Sequence, residues 1–180
     1  LLAGPVEFNA VALNNTTLPA TDRAALAEFQ KKVAELTRVM RGTDQYAEDL
    51  LKRTYALKSA LNAVPGDNAT LRLKLDAVAT QLEDVKLKFN NNSDSPSDEE
   101  NPPAPVTLYN RLWKMAWSHW GSTGAPTQTQ LEAYKILMEE FPPVYEQIRK
   151  IGETDLKELE KEVEKLGAPA TPGRLPVWKK

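Results

Sequence analysis

The amino-acid sequence predicts an all-α fold, an elongated up-down antiparallel bundle of four to five helices. Three observations carry this reading. Apolar residues recur at three- and four-residue spacing through five stretches of the chain. Each stretch is bounded by a capping residue, a glycine or a proline. No alternating strand pattern interrupts residues 21–167. With 180 residues and 41% hydrophobic content, the chain is long enough to bury a core of its own.

The elements follow in order. Residues 1–20 lack a helical period, and Val6, Phe8, Ala10 and Ala12 alternate weakly, so this stretch reads as an N-terminal arm or as the end of a preceding β-domain. The opening Leu1-Leu2-Ala3-Gly4-Pro5 reads as a processed product or an excised piece of something longer. Thr21 or Asp22 can cap a helix carrying Leu26, Phe29, Val33, Leu36 and Met40, which Gly42 is expected to stop. Thr43 or Asp44 then caps a second, with Ala47, Leu50, Thr54, Leu57, Leu61 and Val64. Asp67 or Asn68 opens a third, where Leu71, Leu75, Val78, Leu82, Val85 and Phe89 repeat. The short glycine-containing links imply antiparallel neighbours.

Residues 90–105, NNNSDSPSDEENPPAP, are acidic and proline-rich and have nothing to bury, which predicts a mobile surface loop. A short helix follows from Leu108. Thr127, with Gln130 three residues on, then starts a long final helix. Its stripe of Tyr134, Leu137, Phe141, Val144, Ile148 and Ile151 survives Pro142-Pro143, so a kink is expected there and not a reversal. Past Ile151 the stripe slips by one residue to Leu156, Leu159, Val163 and Leu166, with Gly152 and Asp155 in the slip. Residues 168–180 cannot be helical. They form an extended tail whose Trp178 is expected to dock on the body or on a neighbour.

Composition narrows the function. A formal charge of −2 weighs against nucleic acid or an anionic membrane as partner. No apolar run approaches the roughly 18 residues of a membrane span. Cysteine is absent, which removes disulfides, thiolate metal sites and thiol nucleophiles. Phosphate-loop, dinucleotide and calcium-loop motifs are missing too.

The most unusual segment is Leu108 to Ser122, LYNRLWKMAWSHWGS, with three of the four tryptophans and the only histidine. On a helix, Leu108, Leu112, Met115 and His119 form one stripe, and Trp113, Trp117 and Trp120 form a second. A helix apolar over most of its circumference is usually buried, so the indoles are read first as core or interdomain packing. The other two readings are a stacking platform for a sugar and an apolar ligand pocket. His119 has no companion ligands and reads as a core histidine. A Ser118–His119–Asp155 triad fails, because neighbours on a helix diverge by roughly 100°. Asp155 falls on the inward stripe, and Arg111 or Arg72 could pair with it, making Asp155–Arg111 the candidate buried ion pair. No catalytic, cofactor or metal residue is assigned.

PAPVTLYNRL at 103–112, APTQTQLEAY at 125–134, ETDLKELEKEVEKLGAP at 153–169 and TPGRLPVWK at 171–179 together resemble one family. They are similar to the helical C-terminal region of large bacterial exported proteins with a sortilin-like β-propeller, often described as BNR-repeat or glycosyl hydrolase-like. The resemblance spans roughly residues 20–179 and includes no catalytic motif. It implies an exported location and a propeller as the neighbouring domain. The expected function is therefore a non-catalytic structural or interaction module, not an enzyme, at the C-terminus of a larger protein. The alternative is a carbohydrate- or apolar-ligand-binding module that uses the Trp-rich helix.

Overall fold

Helix α1 is a single rod from Arg23 to Asn62, 40 residues long, in a computed structural model that describes residues 4–11, 13, 18–91 and 105–178. Most of the predicted acidic loop, residues 92–104, and Ala12 of the arm lie outside the described residues. At 1.5 Å per residue, α1 spans about 60 Å. Asp22 caps it by accepting the Ala25 N–H at 2.9 Å.

The expected break at Gly42 does not occur. Thr43, a candidate cap in the sequence, donates its hydroxyl instead to the Val39 carbonyl one turn back, at 2.8 Å. Thr37 and Thr54 do the same to Val33 and Leu50. Within a helix that bond satisfies a buried hydroxyl without a turn. Leu36, Met40, Ala47 and Leu50 then form one buried stripe across the glycine. Burial of such side chains, worth roughly 1.5–3 kcal/mol each, outweighs the ~1 kcal/mol that glycine costs in a helix.

Helix α2, Ala69–Phe89, turns back along α1. Lys58–Asp76 (2.5 Å), Tyr55–Glu83 and Glu48–Lys86 mark the antiparallel register. Helix α3, Leu108–Trp120, continues in the same direction as α2. Tyr109 donates to Asp44 at 3.0 Å, and His119 reaches Phe29 at 5.1 Å between ring centroids, so α3 covers the N-terminal half of α1. The antiparallel expectation for the short link at Pro65-Gly66 holds between α1 and α2, whereas α2 and α3, which no such link joins, run in the same direction. These two form one interrupted rod.

Helix α4, Gln128–Lys150, begins with the predicted capping box of Thr127 and Gln130 and runs through Pro142 and Pro143 without reversing. Both prolines are on the exposed side of the helix. A five-residue π turn, Ile151–Asp155, then leads directly into α5, Leu156–Lys165. A π turn inserts one extra residue into the helix, which is the physical basis of the slipped stripe. Phe29–Tyr134 and Arg53–Glu160 show that α4–α5 runs parallel to α1. The architecture is therefore up, down, up: α1, then α2 with α3, then α4 with α5. Among the described residues there are no strands.

Two glycines in these rods have opposite surroundings. Nothing lies within 4 Å of a Cβ built at Gly42, whereas one at Gly152 would sit 2.8 Å from Cε1 and Cζ of Tyr46. Gly42→Ala should raise stability by about 0.5–1 kcal/mol in urea unfolding. Gly152→Ala should lower it, and a Tyr46→Ala background should turn that loss into the ordinary helical gain.

Candidate interaction surface

Helix α3 divides its two apolar stripes between inside and outside. Leu108, Leu112, Met115, Ala116 and His119 are buried against the long rods. Trp113, Trp117 and Trp120 keep 37%, 77% and 55% of their surface exposed. Of the core-or-interdomain reading of the indoles, this exposure removes the core half. A helix of 13 residues resting on two rods has neighbours on one side only. The leucine, methionine and histidine stripe takes that side, and the second stripe, roughly 100° away, is left in solvent.

The exposed rings form an ordered ridge. Trp113 and Trp120 meet edge to face, 6.3 Å apart and at 83°. The Arg41 guanidinium of α1 lies 4.8 Å from the centre of the Trp113 ring. A cation over an indole stabilises the pair by about 0.5–1 kcal/mol at an exposed site. Arg41 therefore belongs to the surface, although nothing in its sequence context pointed there.

His119 faces away from the ridge. It is 1% exposed, its ring meets the edge of Phe29, and its buried Nε2 has no hydrogen-bond partner. Burial lowers its pKa from the ordinary 6.5, so the neutral form is the folded one. No cluster of metal-ligating side chains exists among the described residues. Ser118 beside it bonds Gln130, tying α3 to α4 at 2.9 Å.

The Asp155–Arg111 pair is also corrected. Arg111 points to Glu140 on α4 at 3.6 Å, and Asp155 lies 3.5 Å from Lys150 within its own rod. The π turn rotates Asp155 out of the inward stripe, which leaves its carboxylate half-buried and reachable by a local lysine.

Trp178 lies far from the ridge, toward the opposite end of the rods, and is 83% exposed. The tail before it is held by a clamp that the sequence did not announce. Arg174 donates to the Glu160 carbonyl at 2.8 Å and to Thr171 Oγ1 at 3.0 Å, and pairs with Glu164 at 2.9 Å. The Val177 N–H donates to Glu164 at 3.1 Å, and Gly173, at φ +83°, lets the backbone pass over Arg53. Away from both surfaces, an apolar groove of about 520 Å³ runs between α1 and α4, lined by Leu36, Val39, Tyr134, Met138 and Phe141.

At the other end, the Ala20 N–H bonds the Thr123 carbonyl in the α3–α4 turn at 3.0 Å. The arm therefore leaves the body beside Trp120. Its Val6, Phe8, Val11 and Leu13 are all at least 77% exposed. No protein-family model matches this chain, and no curated protein or solved structure matches it either.

The histidine gives a testable sign. Its folded pKa is below the unfolded value, so its unfavourable contribution is absent at high pH and grows as pH falls through 6.5. Urea unfolding at about pH 7.5 and about pH 5.5 should show a stability loss on acidification that His119→Leu makes smaller.

Proposed function

We propose that this chain is a non-catalytic helical interaction module of a larger exported protein, docking on a neighbouring domain through the Trp113–Trp117–Trp120 ridge. The exposure of three tryptophans on one outward helix face carries the reading. Together the rings leave roughly 250–400 Å² uncovered. That is a third to a half of the ~800 Å² each partner contributes to a standard interface, and tryptophan and arginine are the residues that dominate such contacts. A patch of this size is comparable to the largest apolar patch of a typical monomer, which is often a functional contact.

The arm supports a partner in the same parent chain. It departs at the α3–α4 turn that follows Trp120, and the weak alternation of Val6, Phe8, Ala10 and Ala12 suits the end of a strand in a β-domain. A short tether of this kind holds a preceding domain near the ridge at millimolar effective concentration. The exported location and the β-propeller neighbour rest on the resemblance of residues 103–112, 125–134, 153–169 and 171–179 alone.

The alternative, a sugar-binding module, is favoured by Trp117, which is 77% exposed. Ring geometry opposes it. Flat stacking on successive sugars needs coplanar rings, but Trp113 and Trp120 stand at 83° and Arg41 covers a face of Trp113.

In the parent protein, Trp117→Ser should weaken docking of the helical unit about tenfold or more, measured as protection of the ridge from hydrogen exchange or acrylamide quenching. The unfolding midpoint of the helical unit itself should not change. Unaltered quenching in the parent would remove the docking reading, and a saturable tryptophan response to polysaccharide fragments would favour the alternative.

A further inference from the structure

The clamped tail and α5 border a second surface, distinct from the ridge and toward the opposite end of the rods. A cleft of about 570 Å³ runs between them. One wall is formed by Leu175 and Val177, and the other by Lys157, Lys161 and Lys165. These lysines recur every four residues and so share one stripe of α5. All three are exposed, and none has a carboxylate partner among the described residues. The two carboxylates nearest the cleft floor are already taken, Glu160 by Arg53 and Glu164 by Arg174. The cleft is therefore cationic on one wall and apolar on the other.

We infer that this cleft binds an acidic extended polypeptide segment of a partner protein. Charge complementarity selects the acid: three unpaired ammonium groups line up on one wall, with no free carboxylate between them and the tail. The apolar wall selects a chain that also carries apolar side chains, because Leu175 and Val177 are 94% and 68% exposed. The groove shape suits a polypeptide, and the vesicle arm of the test separates it from a lipid surface. A strand of chain can lie along the open groove between tail and helix and touch the lysine stems and the tail side chains together. The Arg174 clamp keeps the tail in place before binding, which lowers the ordering cost of association. This second surface extends the interaction-module reading but does not depend on the tryptophan ridge.

The test uses the full chain with a random glutamate–tyrosine copolymer as probe, followed by fluorescence anisotropy at low salt. The expected result is saturable binding that added salt weakens, and that combined Lys157→Gln, Lys161→Gln and Lys165→Gln substitution weakens about tenfold. Leu175→Ser with Val177→Ser should also weaken it, and both side chains are exposed enough for the variant to fold normally. Trp117→Ser should leave binding unchanged, which separates this surface from the ridge. Absence of binding, indifference to the glutamine substitutions, loss of binding in Trp117→Ser, or preference for phosphatidylglycerol vesicles over the copolymer would each overturn the inference.

Discussion

Everything in this molecule is measured against the uninterrupted helix α1. Its stripe of buried side chains continues through Gly42, so the rod reaches full length and sets the length of the two rods that pack on it. Helices α4 and α5, joined by the π turn, match it in parallel. The middle rod does so only by using two helices in tandem, α2 beside the C-terminal half of α1 and α3 beside the N-terminal half. Had the chain turned at Gly42, α3 would have no long surface to rest on, and neither the ridge nor the tail would be where it is.

The π turn is the second constraint. Tyr46 of α1 lies against Gly152, where any Cβ would have to displace its ring. The glycine permits the close approach, and the extra residue of the π turn re-phases the stripe so that Leu156, Leu159 and Val163 return to the core. Parallel rods thus stay in contact past the prolines of α4, up to the level where Arg53 meets Glu160 and Arg174 pins the tail. Local backbone irregularity here serves long-range register.

Much of this fold is legible in the sequence because amphipathic stripes survive whatever else varies. The α2 stripe, the Asp22 cap and the Thr127–Gln130 box all appear where the spacing puts them. Even the slip after Ile151 is visible as a five-residue gap, although its cause is not. The failures have physical reasons. Gly42 and Thr43 carry a turn signal that holds only when no continuous core face overrides it. The choice between core and interdomain packing for the indoles is not legible, because periodicity counts hydrophobic residues on a helix but cannot say how many of its sides have neighbours. An α-helical rhythm puts Asp155 on the inward stripe, and the π turn abolishes that rhythm. The contacts of Arg41 and Arg174 join residues distant in the chain, and no local pattern records them.

Structure and proposed role meet in a strut with a different surface toward each end, tryptophans and the arm at one, lysines and the tail at the other. Both placements depend on α1 being one rod, and pulsed dipolar spectroscopy tests this directly. The chain has no cysteine, so spin labels at Ala27→Cys and Ser59→Cys report a single distance. A continuous helix predicts one population near 48 Å, from 32 residues at 1.5 Å each. A helical hairpin turning at Gly42 would bring the labels to within about 15 Å, since packed helices lie 8–10 Å apart, and would contradict the account.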